Sequence, residues 1–232
     1  ELGLAVGTQI FEGKDGLLSQ VCAATTNGTF GNQTFGITSG TLNCTKATKF
    51  VSYERLNKFI GDNMDMATDL GPLVAPSQVA TTEQYVQAGL DEGATLLCGG
   101  GRPTDLAEGL DPNAFFTPTI FAAENSMRIA QEEIFGPVLS AITFREIDEA
   151  VTIANDTVYG LAGALWTRDV STAHKVARQI KAGVVWVNCF DAGDITTPFG
   201  GFKQSGFGGH DKSVHAHDQY TELKTIWIDL EG

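Results

Sequence analysis

Two short segments concentrate the groups able to do chemistry: EEIFGPV at 132–138 and PFGGFKQSG at 198–206. In the first, a carboxylate pair precedes an aromatic residue, a glycine and a proline. The backbone must therefore leave a helical turn and enter the extended run VLSAITF at a defined point. That puts Glu133 and Phe135 at the mouth of a strand. A carboxylate there can accept both hydroxyls of a nucleotide ribose, and an aromatic edge can bear on a nicotinamide ring, since α/β proteins bind ligands in crevices at strand ends. The plainer alternative is a capped turn with one buried Phe. In the second segment Gly200, Gly201, Gly206, Gly208 and Gly209 permit backbone conformations that a side chain forbids; alone it is an ordinary glycine loop.

The elements that must hold these segments follow from periodicity. From about Ser77 onward strands and helices alternate as in βαβ units. Val79, Val86 and Leu90 share one face of a helix ending near Gly93, and TLLC, Thr95 to Cys98, follows as a short strand. Ile147, Val151 and Ala154 keep helical spacing, as do Ala173, Val176, Ala177 and Ile180 behind Ser171 as N-cap. GALWT and VVWVN read as strands buried on both faces of a parallel sheet. The terminal run YTELKTIWIDL, 220–230, is β-rich, with Leu223 and Trp227 on one face and Ile226, Ile228 and Leu230 on the other. Apolar residues on both faces of an edge strand call for a cover, so an oligomer, at least a dimer, is expected.

The chain's 232 residues, 42% hydrophobic, suit one large α/β domain or one and a half smaller ones. Its formal charge of -13, uninterrupted by any basic cluster, argues against nucleic acid and anionic membranes as partners. No apolar stretch approaches the ~20 residues that cross a bilayer, and no leader opens the chain, so a soluble, cytoplasmic protein is expected. Cys22, Cys44, Cys98 and Cys189 are scattered without CxxC pairs, which suggests free thiols in a reducing compartment. Sequons at Asn27, Asn32 and Asn43 would matter only in a secreted protein. His210, His215 and His217, without a positioned carboxylate or cysteine, read as surface or interface residues, and no metal site is expected.

Together the two segments resemble the nicotinamide-contacting and active-site segments of the NAD(P)-dependent aldehyde dehydrogenases. The resemblance covers almost the whole chain but about half of the family's architecture. It implies an α/β catalytic domain over 1–205, a parallel-type sheet flanked by helices, and a return segment with a C-terminal oligomerisation strand over 206–232. The family's N-terminal dinucleotide-binding region is absent from the sequence, and no GxGxxG loop stands in for it. The implied substrate is a small-molecule aldehyde, the cofactor NAD or NADP, and the assembly a dimer or tetramer. Glu133 and Phe135 would hold the cofactor. Leu161 in YGLAG would touch the nicotinamide and Phe199 would wall the aldehyde tunnel, although core packing explains either residue equally well.

The chemistry the resemblance implies needs a thiolate nucleophile, a hydride acceptor and a base that delivers water to a thioester. Glu1, opening ELG where the family has ELGG, matches the base. Two cysteines compete as nucleophile. Cys44 precedes TKATKF, similar to the family's stretch after its nucleophile, and Cys22 follows SQV, similar to the residues before it. Reading Glu1 to Gln33 without gaps matches Ile10-Phe11 to a strand and puts Cys22 inside a helix, where a thiol is unreactive. Cys44 is therefore preferred, at the cost of an insertion, roughly TFGITSG, and of Thr41, Leu42 and Asn43 replacing the family's glycine and glutamine. The late motifs DITTPFGG and DKSVHAHDQYTELKTIWI look most like the branch acting on aminoaldehydes such as γ-glutamyl-aminobutyraldehyde, and Asp191 and Asp194 would attract a cationic amine. Two rivals remain: a non-catalytic, crystallin-like member with an altered cysteine loop, and a thioester hydrolase or esterase working without cofactor.

Overall fold

The computed structural model describes residues 60–68 and 70–231, together with the backbone of four short strands in the first 35 residues. Those are β1 (Gly3–Val6), β2 (Gln9–Phe11), β3 (Gly28–Phe30) and β4 (Gln33–Phe35). The strand expected at Ile10-Phe11 is β2; Glu1, Cys22 and Cys44 lie outside the described residues. Helix α1 (Pro76–Asp91) leads into β5 (Thr95–Cys98), and β6 (Thr119–Ala122) precedes the single-turn α2 (Arg128–Gln131). Then come β7 (Val138–Phe144), α3 (Ile147–Asn155), β8 (Tyr159–Gly160), β9 (Ala162–Trp166) and α4 (Val170–Gln179). β10 (Val184–Val187) and β11 (Phe202–Lys203) close the series before a 3-10 turn at Val214–Tyr220.

The main sheet has seven strands in the order β10-β9-β2-β1-β7-β6-β5. It is mixed where the sequence suggested a parallel one. β6–β7, β2–β9 and β9–β10 run parallel, while β1 is antiparallel to both its neighbours and β5 is antiparallel to β6. Only two residues separate β1 from β2, a return that can join antiparallel strands alone, whereas the longer stretch 99–118 leads from β5 to β6. Since β2 and β7 both oppose β1, strands β2, β6, β7, β9 and β10 all point one way, and their N-terminal ends form one edge of the sheet.

Alternation along the strands divides the core into two layers. Ile120, Leu139 and Ala141 face a cluster with Ala150, Val151 and Ala154 of α3 and Val176 of α4. Phe121 and Val138 face the other way, onto Val79 and Val86 of α1 and Ile129 of α2. The expected apolar stripes of α3 and α4 thus cover the sheet, as do Val79 and Val86 of α1, whereas Leu90, expected on the same face, is exposed. α1 opens on Pro76 and stops at Glu92, after which Gly93 takes φ 90, a turn a side chain resists.

Two expectations are corrected. The N-cap of α4 is Asp169, whose carboxylate accepts from the backbone N–H of Ser171 (3.0 Å) and Thr172 (3.1 Å), because the helix starts one residue before Ser171. These bonds hold the Asp169 carboxyl below the usual carboxylate range, the Thr172 hydroxyl contributing most. Asp169→Ala is therefore expected to lower the melting temperature at neutral pH, and Ser171→Ala to leave it nearly unchanged. Because the folded value is depressed, that difference is present above the unfolded carboxylate pKa and fades as pH falls through the lowered value. Thermal melts of both variants at neutral and acidic pH check this. Second, β10 is half-buried rather than sealed on both faces, since it is the edge strand of the sheet. The run 221–231 pairs with no strand among the described residues of this chain, and Leu223, Ile226, Trp227, Ile228 and Leu230 are exposed.

Candidate cofactor-binding edge

The segment 132–138 connects α2 to the N-terminal end of β7, as its composition requires. Glu132 caps α2 in an extended conformation, Ile134 is buried, and Glu133 and Phe135 are exposed. Phe135 sits at φ 51 and is 72% exposed, so a bulky residue holds a left-handed backbone while its ring faces solvent. Such strain costs of order 1–3 kcal/mol and persists where the surroundings impose it. The surroundings here belong to α1. Gln78 Nε2 donates to the Ile134 carbonyl at 2.9 Å, and the Tyr85 hydroxyl donates to Glu132 Oε2 at 2.8 Å. Thr82 lies so close beneath Gly136 that any Cβ there would strike its Oγ1. Arg128 Nε also bonds Glu132 Oε2, at 2.8 Å, and its guanidinium lies 4.8 Å from the centre of the Tyr85 ring.

Leu161 immediately precedes β9, at the same N-terminal edge. The register Ala141↔Val6, Val6↔Gln9, Gln9↔Ala164 runs level across the sheet, so Leu161 stands at the height of Val138. Three strand steps separate them, about 14 Å at the usual spacing. Leu161 is 42% exposed, and its carbonyl accepts the N–H of Val184 at 3.1 Å.

The glycine segment returns to this edge from the far end of β10. Residues 195–213 fold back on themselves through Ser213 N to Ile195 O (2.8 Å), Asp211 N to Phe199 O (2.9 Å) and Gly208 N to Gly201 O (2.8 Å). The tip docks on the sheet: Phe202 pairs with Gly160, the Gly200 carbonyl occupies the space a Cβ on Gly183 would fill, and Lys203 Nζ donates to the carbonyls of Asn155 (2.8 Å) and Thr157 (2.9 Å). Burial, then Lys181, pushes the Lys203 ammonium pKa down. Phe199, half-buried on the inbound arm, has Lys212 Nζ 5.1 Å from its ring centre.

At the opposite edge Asn188 joins two strand ends, accepting from Thr167 N and donating to Thr167 O, both at 2.9 Å. In the loop beyond it, the Asp194 carboxylate is engaged by Thr196 and Thr197, which hold its pKa down, Thr196 most strongly. Asp191 is exposed in the same loop. Cys189 is an exposed free thiol, whereas burial raises the pKa of the half-buried Cys98. His215 and His217 lie on the exposed turn at Val214–Tyr220, and no cluster of metal-ligating side chains occurs among the described residues.

The structure thus brings Glu133, Phe135 and Leu161 to one sheet edge and folds the Phe199 arm back toward it. Sequence reading missed Gln78, Thr82 and Tyr85, although their spacing of four and three along α1 marks a polar stripe beside the apolar one. It also missed the roles of Asn188 and Lys203, which carry no local signal.

A sheet flanked by helices makes this an α/β protein, with an exposed acid and a strained aromatic at one strand mouth. Comparison with known proteins narrows the class. Residues 48–226 match the aldehyde dehydrogenase family, and the chain belongs to that family. Residues 2–70 match a second family, described as a protein of unknown function (DUF3015). The chain is 47% identical over 171 residues to an aminoacetaldehyde dehydrogenase of Pseudomonas aeruginosa, an alignment covering 73% of this chain and 33% of that protein. Among solved structures it resembles HpcC of Thermus thermophilus at 39% identity and TM-score 0.73, covering 94% of this chain and 44% of that one. It also resembles the P. syringae indole-3-acetaldehyde dehydrogenase AldA, solved with NAD+ and IAA, at 45% identity and TM-score 0.70, covering 91% and 43%. The chain spans about a third of the length of the curated relatives it matches.

Proposed function

We propose that this edge is the nicotinamide-ribose side of an NAD(P)-dependent aldehyde dehydrogenase, and that the chain acts in oxidising an aldehyde to a carboxylic acid. The observation that carries the reading is the strained, exposed Phe135 beside exposed Glu133 at the mouth of β7. Glu133 would accept the ribose hydroxyls and Phe135 would bear on the nicotinamide ring. Leu161, level with Val138 on the same edge, would touch the nicotinamide from the side of β9. NAD or NADP, bound there, supplies the hydride acceptor.

In this reading the Cys44 thiolate adds to the aldehyde carbonyl, and loss of hydride from the adduct leaves a thioester. Glu1 takes a proton from the water that releases the acid and regenerates the thiolate. Phe199 would wall the aldehyde's approach. An aminoaldehyde is the favoured substrate, supported by the aminoacetaldehyde dehydrogenase relative and by Asp191, whereas Asp194 is already engaged by its own turn. The exposed apolar strip 220–230 would become an edge strand in a dimer or tetramer, with 206–232 as return segment and 1–205 as catalytic part. The hydrogen bonds between 195–201 and 208–213 tie those two parts together. A cytoplasmic setting suits the free thiols Cys98 and Cys189; among the described residues no helix is long and apolar enough to cross a membrane.

One observation favours a second reading. The family match begins at residue 48, after both Glu1 and Cys44, which fall in or beside the 2–70 stretch matched to the other family. A chain that keeps the cofactor edge without a nucleophile of its own would bind the dinucleotide and turn nothing over. Incubation with an aminoaldehyde and NAD, with and without prior alkylation mapped by mass spectrometry, separates the two. Nicotinamide reduction abolished by modification of Cys44 supports the first; dinucleotide binding without reduction supports the second. Ester cleavage without nicotinamide reduction would instead mark a hydrolase.

Phe135→Gly provides a further check. Relief of the left-handed strain outweighs or matches the entropy cost of glycine, so stability should stay level or rise by up to about 2 kcal/mol. Dinucleotide affinity should nonetheless fall, because the ring is gone. Parallel melting and titration experiments test both halves.

A further inference from the structure

We propose that Tyr85 is a positioning residue for the cofactor edge, acting through Glu132 to aim Glu133 and Phe135. The proposal rests on the reading of that edge given above. α1 fixes the turn at both sides of the two outward residues. Upstream, Glu92 at the end of α1 accepts the Arg128 backbone N–H at 2.7 Å, which anchors the start of α2. At the end of α2 the Tyr85 hydroxyl and Arg128 Nε converge on Glu132 Oε2, each at 2.8 Å. Downstream, Gln78 holds the Ile134 carbonyl and Thr82 sits under Gly136.

Glu132 is extended, and in extended backbone neighbouring side chains point to opposite sides. With Glu132 and the buried Ile134 turned toward α1, Glu133 between them is turned away from it, and Phe135 follows in its strained conformation. Tethers of this kind reduce the ordering cost of binding, since the two groups are aimed before the nucleotide arrives. Arg128 alone would not suffice: it opens the short helix that Glu132 caps, so its bond orients the carboxylate without tying it to a second element. Tyr85 supplies that tie. Tyr85 and Arg128 also hold the Glu132 carboxyl below the usual carboxylate range, Tyr85 contributing most, so the acceptor is charged at neutral pH.

The test uses the full chain and NADH, followed by fluorescence titration and by hydrogen exchange. Tyr85→Phe keeps the ring against Arg128 and removes only the donor; Glu132→Ala removes the acceptor. Tyr85→Phe is expected to weaken NADH binding about five-fold, the usual effect of losing one hydrogen bond, and Glu132→Ala, which also loses the bond from Arg128, at least as much. Exchange should quicken at the amides of 133–136 and 138 and stay unchanged at 162–166 and 184–187. Glu132→Gln, which keeps an oxygen for the Tyr85 hydroxyl, should recover most of the affinity. Glu83→Gln, on the same helix but facing Arg102, should bind as wild type does. Wild-type affinity in Tyr85→Phe, or weakened binding without faster exchange in the turn, overturns the proposal. So does equal weakening by Glu83→Gln. Failure of the unmodified chain to bind NADH overturns the cofactor-edge reading itself, and the proposal with it.

Discussion

Gly183→Ala is expected to destabilise the fold by about 3 kcal/mol or more, beyond the usual range for overpacking, because the added methyl meets backbone rather than a movable side chain. The Gly200 carbonyl stands where the Cβ would go, and Gly200 in turn packs against Gly208. Neither can yield without undocking the 195–213 arm, whose tip is also held by Phe202 on Gly160 and by Lys203 on the end of α3. The expected readout is a melting temperature lower by roughly 6–12 °C, with faster exchange along the arm. Gly193→Ala, where nothing lies within 4 Å of a Cβ, is the matched control and should melt as the parent does. Equal melting of the two variants would show that the arm does not dock as described.

The second large effect concerns affinity. Glu133→Gln replaces a carboxylate able to accept two ribose hydroxyls with an amide that offers one acceptor oxygen. Charge-assisted hydrogen bonds are roughly twice as strong as neutral ones, so dinucleotide affinity should fall about ten- to hundred-fold. Glu133 is exposed, hence its melting temperature should not move. This separation distinguishes a ligand contact from a structural one. A comparable loss of affinity from Glu132→Gln, which retains its acceptor, would assign the effect to general charge rather than to the ribose.

Much of this was legible in the residue pattern because it is local. The helical stripes Val79–Val86, Ile147–Val151–Ala154 and Ala173–Val176 are the faces that cover the sheet, and EEIFGPV marks a helix-to-strand turn through its own Gly and Pro. What escaped is non-local. Strand direction depends on which partner a segment meets, so β1 and β5 could turn a nominally parallel sheet into a mixed one. The capping role fell to Asp169 rather than Ser171: both residue types are good caps, and spacing alone does not choose between them. The YTELKTIWIDL run has the composition of a strand, but a strand needs a partner edge, and none within the described residues supplies it. Glu133 and Phe135 could be named from type and spacing; the tether from Tyr85, 47 residues before Glu132, could not. Glu1 and Cys44 rested on resemblance alone, and the family match that identifies the chain starts after both.

The central claim is that one edge of the sheet, at the start of β7 and β9, receives a nicotinamide nucleotide. Titration of NAD+ into isotope-labelled protein, with amide shifts mapped along the chain, tests it most directly. The account predicts saturable shifts at Ile134–Val138 and around Leu161, with little change at 188–194 on the opposite edge. Shifts confined to 188–194, or none at all at millimolar NAD+, would contradict it.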